Sequence, residues 1–102
     1  MLSEVVDQFE DAVIVVDEDF RMLVLNASAR GLFLLPEDNV IGRPIMDLIN
    51  HVGLIRMVSE PNSQDDGARV EQDLPLADGR LYRARVTLVE GGSRFVTLRR
   101  LG

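Results

Sequence analysis

Few side chains in this sequence could carry out chemistry. His51 is the single histidine of the 102 residues, and there is no cysteine. Disulfides, thiolate metal sites, cysteine nucleophiles and covalent thiol adducts are therefore excluded. No motif places a serine or a carboxylate beside His51 in the manner of a hydrolytic triad. The sequence indicates no catalytic group.

Two short segments share only part of a binding motif. Residues 17–19 are three consecutive acids, which in a tight turn more often form a solvated tip than a cation site. Gly91 and Gly92 are not followed by the Lys-Ser/Thr pair and the helix of a phosphate-binding loop. We interpret both segments as turns.

The distribution of charge bears on the possible partners. The net charge is -6, which argues against a nucleic-acid surface. Residues 1–67 hold 13 acids and 4 arginines, whereas residues 68–102 hold 7 arginines and 4 acids. We expect these later arginines to face acids across a sheet rather than to bind phosphate. No apolar run approaches the ~20 residues that span a bilayer, and no signal peptide is visible, so we expect no membrane insertion and a cytoplasmic location.

The first eleven residues have the pattern of an amphipathic helix, with Ser3 as a candidate N-cap. Apolar residues recur at i, i+3, i+4 and i+7. This apolar stripe consists of Leu2, Val5, Val6 and Phe9. The opposite side, which we call the acidic face, consists of Glu4, Asp7, Gln8 and Asp11. A helix of about ten residues is marginal alone in water, so the stripe is expected to pack either on the sheet or on a second copy of the chain.

Two apolar runs joined by the acidic turn predict a β-hairpin over residues 12–26. The run from residue 13 to residue 16 is unbroken and β-branched, as in a strand that is buried on both faces. Asn26 follows the second run. Its side chain can accept a hydrogen bond from the free amides of a first helical turn, which predicts a short helix over residues 27–35.

The middle of the chain predicts further short helices. Pro44 suits the first position of a helix, and apolar residues at helical spacing continue this helix to Val52. Gly53 is expected to bend or end it, and residues 54–59 make another turn or two. Residues 61–67 read as a polar loop.

Residues 68–76 and 81–89 predict a second hairpin, and the charges select its register. A two-residue turn would place Leu74 opposite Arg83 and mix apolar and charged faces. A three-residue loop with Gly79 in the left-handed bulge position avoids this. The predicted pairs are then Leu74–Tyr82, Val70–Val86, Asp73–Arg83 and Glu71–Arg85.

A last strand is predicted over residues 94–101, after the turn at Gly91 and Gly92. Two inward-facing sets remain open for this strand. They are Phe95 with Thr97 and Val96 with Leu98.

Three segments, taken in order, make the chain resemble a PAS domain, a sensory module common in bacterial histidine kinases. Residues 11–33 (DAVIVVDEDFRMLVLNASARGLF) resemble the family's opening, in which one strand ends in Asp and the next ends in Asn before a helix. Residues 40–49 (VIGRPIMDLI) resemble its Gly-x-Pro segment, and residues 78–89 (DGRLYRARVTLV) its later hairpin.

The resemblance implies an α+β fold. In this fold a five-stranded antiparallel sheet carries short helices on one face, and here an N-terminal amphipathic helix precedes it. We expect a single PAS domain over residues 1–102, with a flanking helix at 1–11 and the core at 12–101, cut from a longer signalling protein.

The resemblance also implies a pocket between the inner face of the sheet and the short helices. Its candidate lining is Leu32, Phe33, Ile45, Ile49, Ile55, Met57, Gln72, Tyr82, Ala84 and Val86. We favour the interpretation that these side chains fill the core over a ligand-filled cavity. Haem-binding relatives use a histidine of the helical middle region, which makes His51 the haem candidate, although an exposed or capping role is favoured. Flavin has no residue signature here, and no cofactor or metal site is predicted.

The predicted function is that of a sensory and dimerisation module of a signalling protein, most of all a two-component sensor histidine kinase acting in a phosphorelay. The domain itself is expected to be non-catalytic. Its expected partners are a second copy, through the N-terminal helix, and neighbouring kinase or other signalling domains of the same chain. The alternative is a receptor for a small ligand, haem or flavin. An unrelated α+β enzyme is a third hypothesis that no catalytic constellation supports.

Overall fold

The structure, a computed structural model, describes residues 11–36, 38–60, 69–76 and 79–101. The predicted N-terminal helix with its apolar stripe and the predicted polar loop at 61–67 lie outside these ranges. The described residues form five strands and three short α-helices. In chain order they are β1 (Ala12–Val16), β2 (Met22–Leu25), α1 (Ala27–Phe33), α2 (Ile45–Leu48), α3 (Val52–Ser59), β3 (Arg69–Pro75), β4 (Leu81–Leu88) and β5 (Arg94–Arg100).

All five strands belong to one antiparallel sheet with the order β2-β1-β5-β4-β3. The last strand therefore lies in the centre, between the first and the fourth, and joins the two hairpins into one sheet. The predicted five-stranded sheet with a few short helices is confirmed. No helix in the described ranges is long and apolar enough to cross a membrane.

The first hairpin has the predicted burial but a shorter second strand. Val13 and Ile14 point to opposite faces of β1 and are 2% and 0% exposed, so β1 is buried on both faces. One carboxylate oxygen of Asp17 accepts hydrogen bonds from the backbone N–H groups of Asp19 and Arg21, both at 2.9 Å. This interaction folds Asp17 back into the turn. Phe20 has a left-handed φ of 63°, and β2 begins only at Met22.

The loop that precedes α2 covers the beginning of the outer edge of β2. The backbone N–H of Met22 donates to the carbonyl of Arg43 at 2.9 Å, and the N–H of Gly42 donates to the carbonyl of Met22 at 2.7 Å. Ile45 N–H donates to the carbonyl of Phe20 at 2.8 Å. The beginning of this edge, at Met22, is therefore closed to pairing with another strand.

The helical middle breaks earlier than predicted. The helix that follows Pro44 ends at Leu48, and Ile49 is extended, with φ -117° and ψ 113°. The prediction that this helix continues to Val52 is wrong, and so is the break at Gly53, which lies inside α3. The physical reason is that His51 caps a new helix, so the chain turns before Gly53 is reached. Ile49 then points into the core.

The second hairpin has the predicted register. All four predicted pairs are present, and Gly79 has a left-handed φ of 79°. Arg83 Nε lies 3.0 Å from Asp73 Oδ1, and Arg85 Nη2 lies 2.7 Å from Glu71 Oε2. These exposed ion pairs account for two of the later arginines.

The fifth strand turns Val96 and Leu98 inward. They are 0% and 1% exposed, whereas Phe95 is 39% exposed. Val96 pairs with Ile14 of β1 on one side and with Val86 of β4 on the other. Since both partners face the core, the open choice between the two inward sets is decided in favour of Val96 with Leu98.

Candidate functional site

The space between the sheet and the helices is filled by side chains of the domain itself. Ile45, Met57, Ala84 and Val86 are 0–1% exposed and, with Ile49 and Tyr82, belong to one hydrophobic cluster. Leu32, Phe33 and Ile55 are partly buried and pack against this cluster. Gln72 is exposed on β3. The structure thus brings the apolar members of the predicted lining together as a packed core and leaves Gln72 outside it.

His51 uses both ring nitrogens in the helical middle. Nδ1 accepts a hydrogen bond from the backbone N–H of Leu54 at 3.1 Å, which caps α3. Nε2 lies 2.8 Å from the carbonyl oxygen of Pro75. A haem iron would need one of these nitrogens as a ligand and would break the cap or the link to β3. His51, as placed, does not fit an axial haem ligand.

Asn26 is a buried connection between α1 and β1. Its Oδ1 accepts hydrogen bonds from the backbone N–H of Ala29 and from that of Val13, each at 3.0 Å. Its Nδ2 donates to the carbonyl of Asp11 at 2.8 Å. The residue is 0% exposed. Besides capping the helix, it holds the beginning of the first strand, a role that sequence reasoning missed because it depends on a contact thirteen residues away.

Arg94 is a second buried polar residue that sequence reasoning missed. It is 6% exposed, its guanidinium carbon lies 4.4 Å above the centre of the Phe20 ring, and its Nη1 donates to the carbonyl of Gly92 at 2.7 Å. These contacts join the turn after β1 to the turn before β5. The sequence did contain one indication of this burial. Side chains alternate along a strand, so residue 94 lies on the same face as Val96 once the inward set of β5 is known.

Around Gly92 the two turns are in contact. A Cβ atom at this glycine would lie 3.0 Å from the Cβ of Glu18, too close for an ordinary contact. Gly92 also has a positive φ of 86°. The glycine is therefore required by the meeting of two turns, and phosphate binding is not needed to explain it.

A cleft of 560 Å³ lies between α1 and the ends of β1, β4 and β5. Its lining is Asp11, Ala12, Ser28, Leu32, Tyr82, Leu98, Arg99 and Arg100. Leu32 and Tyr82 are members of the predicted pocket lining, but the other lining residues are not. The rim is charged: Arg99 Nε lies 3.6 Å from Asp11 Oδ2. We call this feature the arginine cleft.

A second, shallower groove of 380 Å³ lies between α2 and α3. It includes Ile49 and Ile55 of the predicted lining. Met46 and Val52 on this groove are 55% and 72% exposed. Its surface is largely apolar.

A row of charges crosses the outer face of the sheet. Arg83 lies between Asp73 on β3 and Arg99 on β5, and Asp11 lies next to Arg99. The hydrogen bond that Arg83 Nε donates to Asp73 Oδ1, together with the negative charge of Asp73, raises the pKa of the Arg83 guanidinium. Among the described residues, no three His, Asp or Glu side chains converge in a way that could hold a metal ion.

The comparisons with known proteins agree with this architecture. A family model described as the PAS fold matches residues 1–94. The chain belongs to the PAS family. PAS domains are sensory and generally non-catalytic. A search of curated proteins finds no match.

Several solved structures share the fold. A domain of an HTR-like protein from Haloarcula marismortui has a TM-score of 0.72 at 13% identity, covering 92% of this chain and 100% of that one. The PAS domain of nitrogen regulation protein NR(II) from Vibrio parahaemolyticus has a TM-score of 0.63 at 17% identity, covering 99% and 98%. A sensory box sensor histidine kinase from Vibrio cholerae has a TM-score of 0.71 at 15% identity, covering 98% and 88%. At these identities the similarity shows the fold.

Proposed function

We propose that this PAS domain is the sensory and dimerisation module of a two-component sensor histidine kinase, and that it transmits a conformational signal without a bound cofactor. The observation that carries the proposal is the packed interior. The apolar side chains that are candidates for a pocket lining contact one another in the core, and both ring nitrogens of the one histidine lie within hydrogen-bond distance of backbone groups. A signal is then expected to travel through the packing of the elements at the ends of the domain.

The route we propose runs between the beginning of the first strand and the end of the last. Ala12 of β1 pairs with Leu98 of β5, and Asp11 lies beside Arg99. A change in the direction in which residues 1–10 leave the domain would therefore act directly on β5. Coupling of this kind requires two arrangements of similar free energy at this junction.

The proposed dimer forms through the apolar stripe, which is Leu2, Val5, Val6 and Phe9. Four apolar side chains on a short amphipathic helix favour association because each buried side chain contributes about 1.5–3 kcal/mol. The similarity to a sensory box sensor histidine kinase supports a role in such a protein. The kinase itself would be supplied by other domains.

The test is sedimentation velocity over a range of protein concentrations on wild type, Val6→Asp and Gln8→Asp. Burial of an unpaired carboxylate in the interface costs at least about 2 kcal/mol, so Val6→Asp is expected to weaken the dimer at least ~30-fold. Gln8→Asp introduces the same charge on the acidic face and should leave the dimer intact. A wild type that remains monomeric, or a Val6→Asp variant that dimerises as well as wild type, would contradict the dimer role.

A further inference from the structure

The strand β3 forms one edge of the sheet, since it pairs with β4 alone. Along an antiparallel strand, every second residue directs its backbone N–H and C=O away from the neighbouring strand. Two contacts at the end of β3 show which residues these are. The N–H of Leu76 donates to the carbonyl of Arg80 on the β4 side at 3.1 Å, whereas the carbonyl oxygen of Pro75 lies 2.8 Å from His51 Nε2. The odd-numbered residues of β3 therefore direct their backbone groups outward.

Three of these odd-numbered residues leave the edge open. They are Arg69, Glu71 and Asp73, and all three are exposed. Within the described ranges, no residue supplies a hydrogen-bond partner for their outward backbone groups. Pairing cannot continue past Pro75, because proline has no N–H and its carbonyl faces His51. We call the open part, residues 69–73, the β3 edge.

The β3 edge carries charges of both signs on the outer face of the sheet. Glu71 and Asp73 each have an arginine of β4 as an ion-pair partner. Arg69 takes part in none of the ion pairs that the described residues form. Charged side chains on an edge strand disfavour pairing with most other strands. An antiparallel copy of β3 is different, because it runs in the opposite direction and can place an acid opposite Arg69.

The charges also select the register of such a pair. Outward backbone groups must face each other, so the two-fold axis can pass at Val70, Glu71 or Gln72. An axis at Gln72 places Glu71 opposite Asp73 of the second copy, and an axis at Glu71 places this residue opposite itself. An axis at Val70 places Arg69 opposite Glu71 of the second copy, twice. Opposite charges across a strand pair are stabilising and like charges are destabilising, so the axis at Val70 is favoured.

The inner face agrees with this register. Val70 is partly buried and packs against the hydrophobic core, and the axis at Val70 brings this side chain next to Val70 of the second copy. Apolar contact on one face and two ion pairs on the other are then combined in one short ladder. Four backbone hydrogen bonds would form between residues 69 and 71 of the two copies.

We propose that the β3 edge is a self-association surface at which two copies pair antiparallel about a two-fold axis at Val70. Each copy contributes the same residues, as in other isologous interfaces, and the two sheets become continuous. The contact uses no residue of the apolar stripe, so it does not rest on the dimer described under the proposed function. Where both contacts form, the edge links stripe-mediated dimers into larger assemblies.

The test is sedimentation velocity over a range of protein concentrations in a Val6→Asp background, which removes the stripe. This parent protein is expected to self-associate reversibly. Arg69→Glu places two pairs of like charges across the axis and should weaken the association about tenfold or more. Glu71→Arg should weaken it in the same way. Arg100→Glu is the matched control, since Arg100 is an exposed arginine on the central strand β5, and it should change nothing.

A mixture of the Arg69→Glu and Glu71→Arg proteins gives the sharpest result. Residue 69 of each protein then faces residue 71 of the other with the opposite charge. The mixture is expected to associate about as strongly as the parent, although each protein alone associates weakly. Damage to the fold by either substitution could not produce this recovery.

Three results would overturn the proposal. The parent could stay monomeric at every concentration, which would leave the edge to a strand of another protein. Its association could be insensitive to Arg69→Glu, or the mixture could fail to associate. Comparison of wild type with Val6→Asp tests the stripe, and comparison of Val6→Asp with and without Arg69→Glu tests the edge, so the two contacts fail in different measurements.

Discussion

At the scale of single residues, Asn26 connects three parts of the fold with one side chain. It caps α1 through Ala29, holds Val13 of β1, and donates to the carbonyl of Asp11. Buried polar groups are stabilising only while their partners are present. An amide with two acceptor bonds and one donor bond is therefore a point at which one substitution affects a helix and a strand together.

We predict that Asn26→Ala lowers the free energy of unfolding by about 2–4 kcal/mol, because it removes a cap and leaves buried backbone groups without a partner. Urea denaturation followed by circular dichroism measures the change. Asn50→Ala is the control, since Asn50 is exposed, and it should stay within about 0.5 kcal/mol of wild type. Equal effects of the two substitutions would show that the Asn26 contacts do not stabilise the fold.

At the scale of elements, two glycines occupy different backbone environments. Gly31 lies inside α1, and a Cβ added there would meet nothing within 4 Å. Gly42 lies in the loop that covers the edge of β2, with a φ of 87° that L-residues rarely adopt. Gly31 destabilises its helix relative to alanine. Gly42 is required by the turn that brings its N–H to the carbonyl of Met22.

We predict that Gly31→Ala raises the free energy of unfolding by about 0.5–1 kcal/mol, since alanine loses less backbone entropy in a helix. Gly42→Ala should lower it by about 1 kcal/mol or more, because the added Cβ disfavours the left-handed backbone. Thermal melts of the two variants are to be compared with wild type. If both variants melted above wild type, or both below it, the different roles given to Gly31 and Gly42 would be refuted.

The local sequence pattern predicted some elements of the fold better than others. The second hairpin could be predicted with its register because opposite charges and a left-handed glycine act over a few residues. The break between α2 and α3 could not. It depends on His51, which caps α3 and contacts Pro75 on a strand that lies more than twenty residues further along the chain.

At the scale of the whole molecule, the sheet and the helices enclose a packed core. Ile14, Leu54, Met57 and Val96 are 0–1% exposed, and they come from β1, α3 and β5. The described open volumes lie at the end of the sheet and between two helices, not at the centre. A signal that enters this domain must move packed elements.

We predict that Leu54→Ala lowers the free energy of unfolding by about 2–5 kcal/mol, because it leaves a cavity in the core. Val52→Ala on the same helix should change it by less than about 0.5 kcal/mol, since Val52 is 72% exposed. Urea denaturation of both variants provides the measurement. A small effect of Leu54→Ala would indicate that the interior is loosely packed and could admit a ligand.

The family, the strand-rich ends and the helical middle follow from the sequence alone, because apolar spacing, turn glycines and cross-strand charge act over short distances. Only the tertiary structure decided which groups Asn26, His51 and Arg94 contact. It also decided that Val96 and Leu98 are the inward pair. Each depends on which distant strand lies alongside, and alternation within one strand is equally consistent with two registers. The arginine cleft is of the same kind, since it forms only when the last strand is placed next to the first.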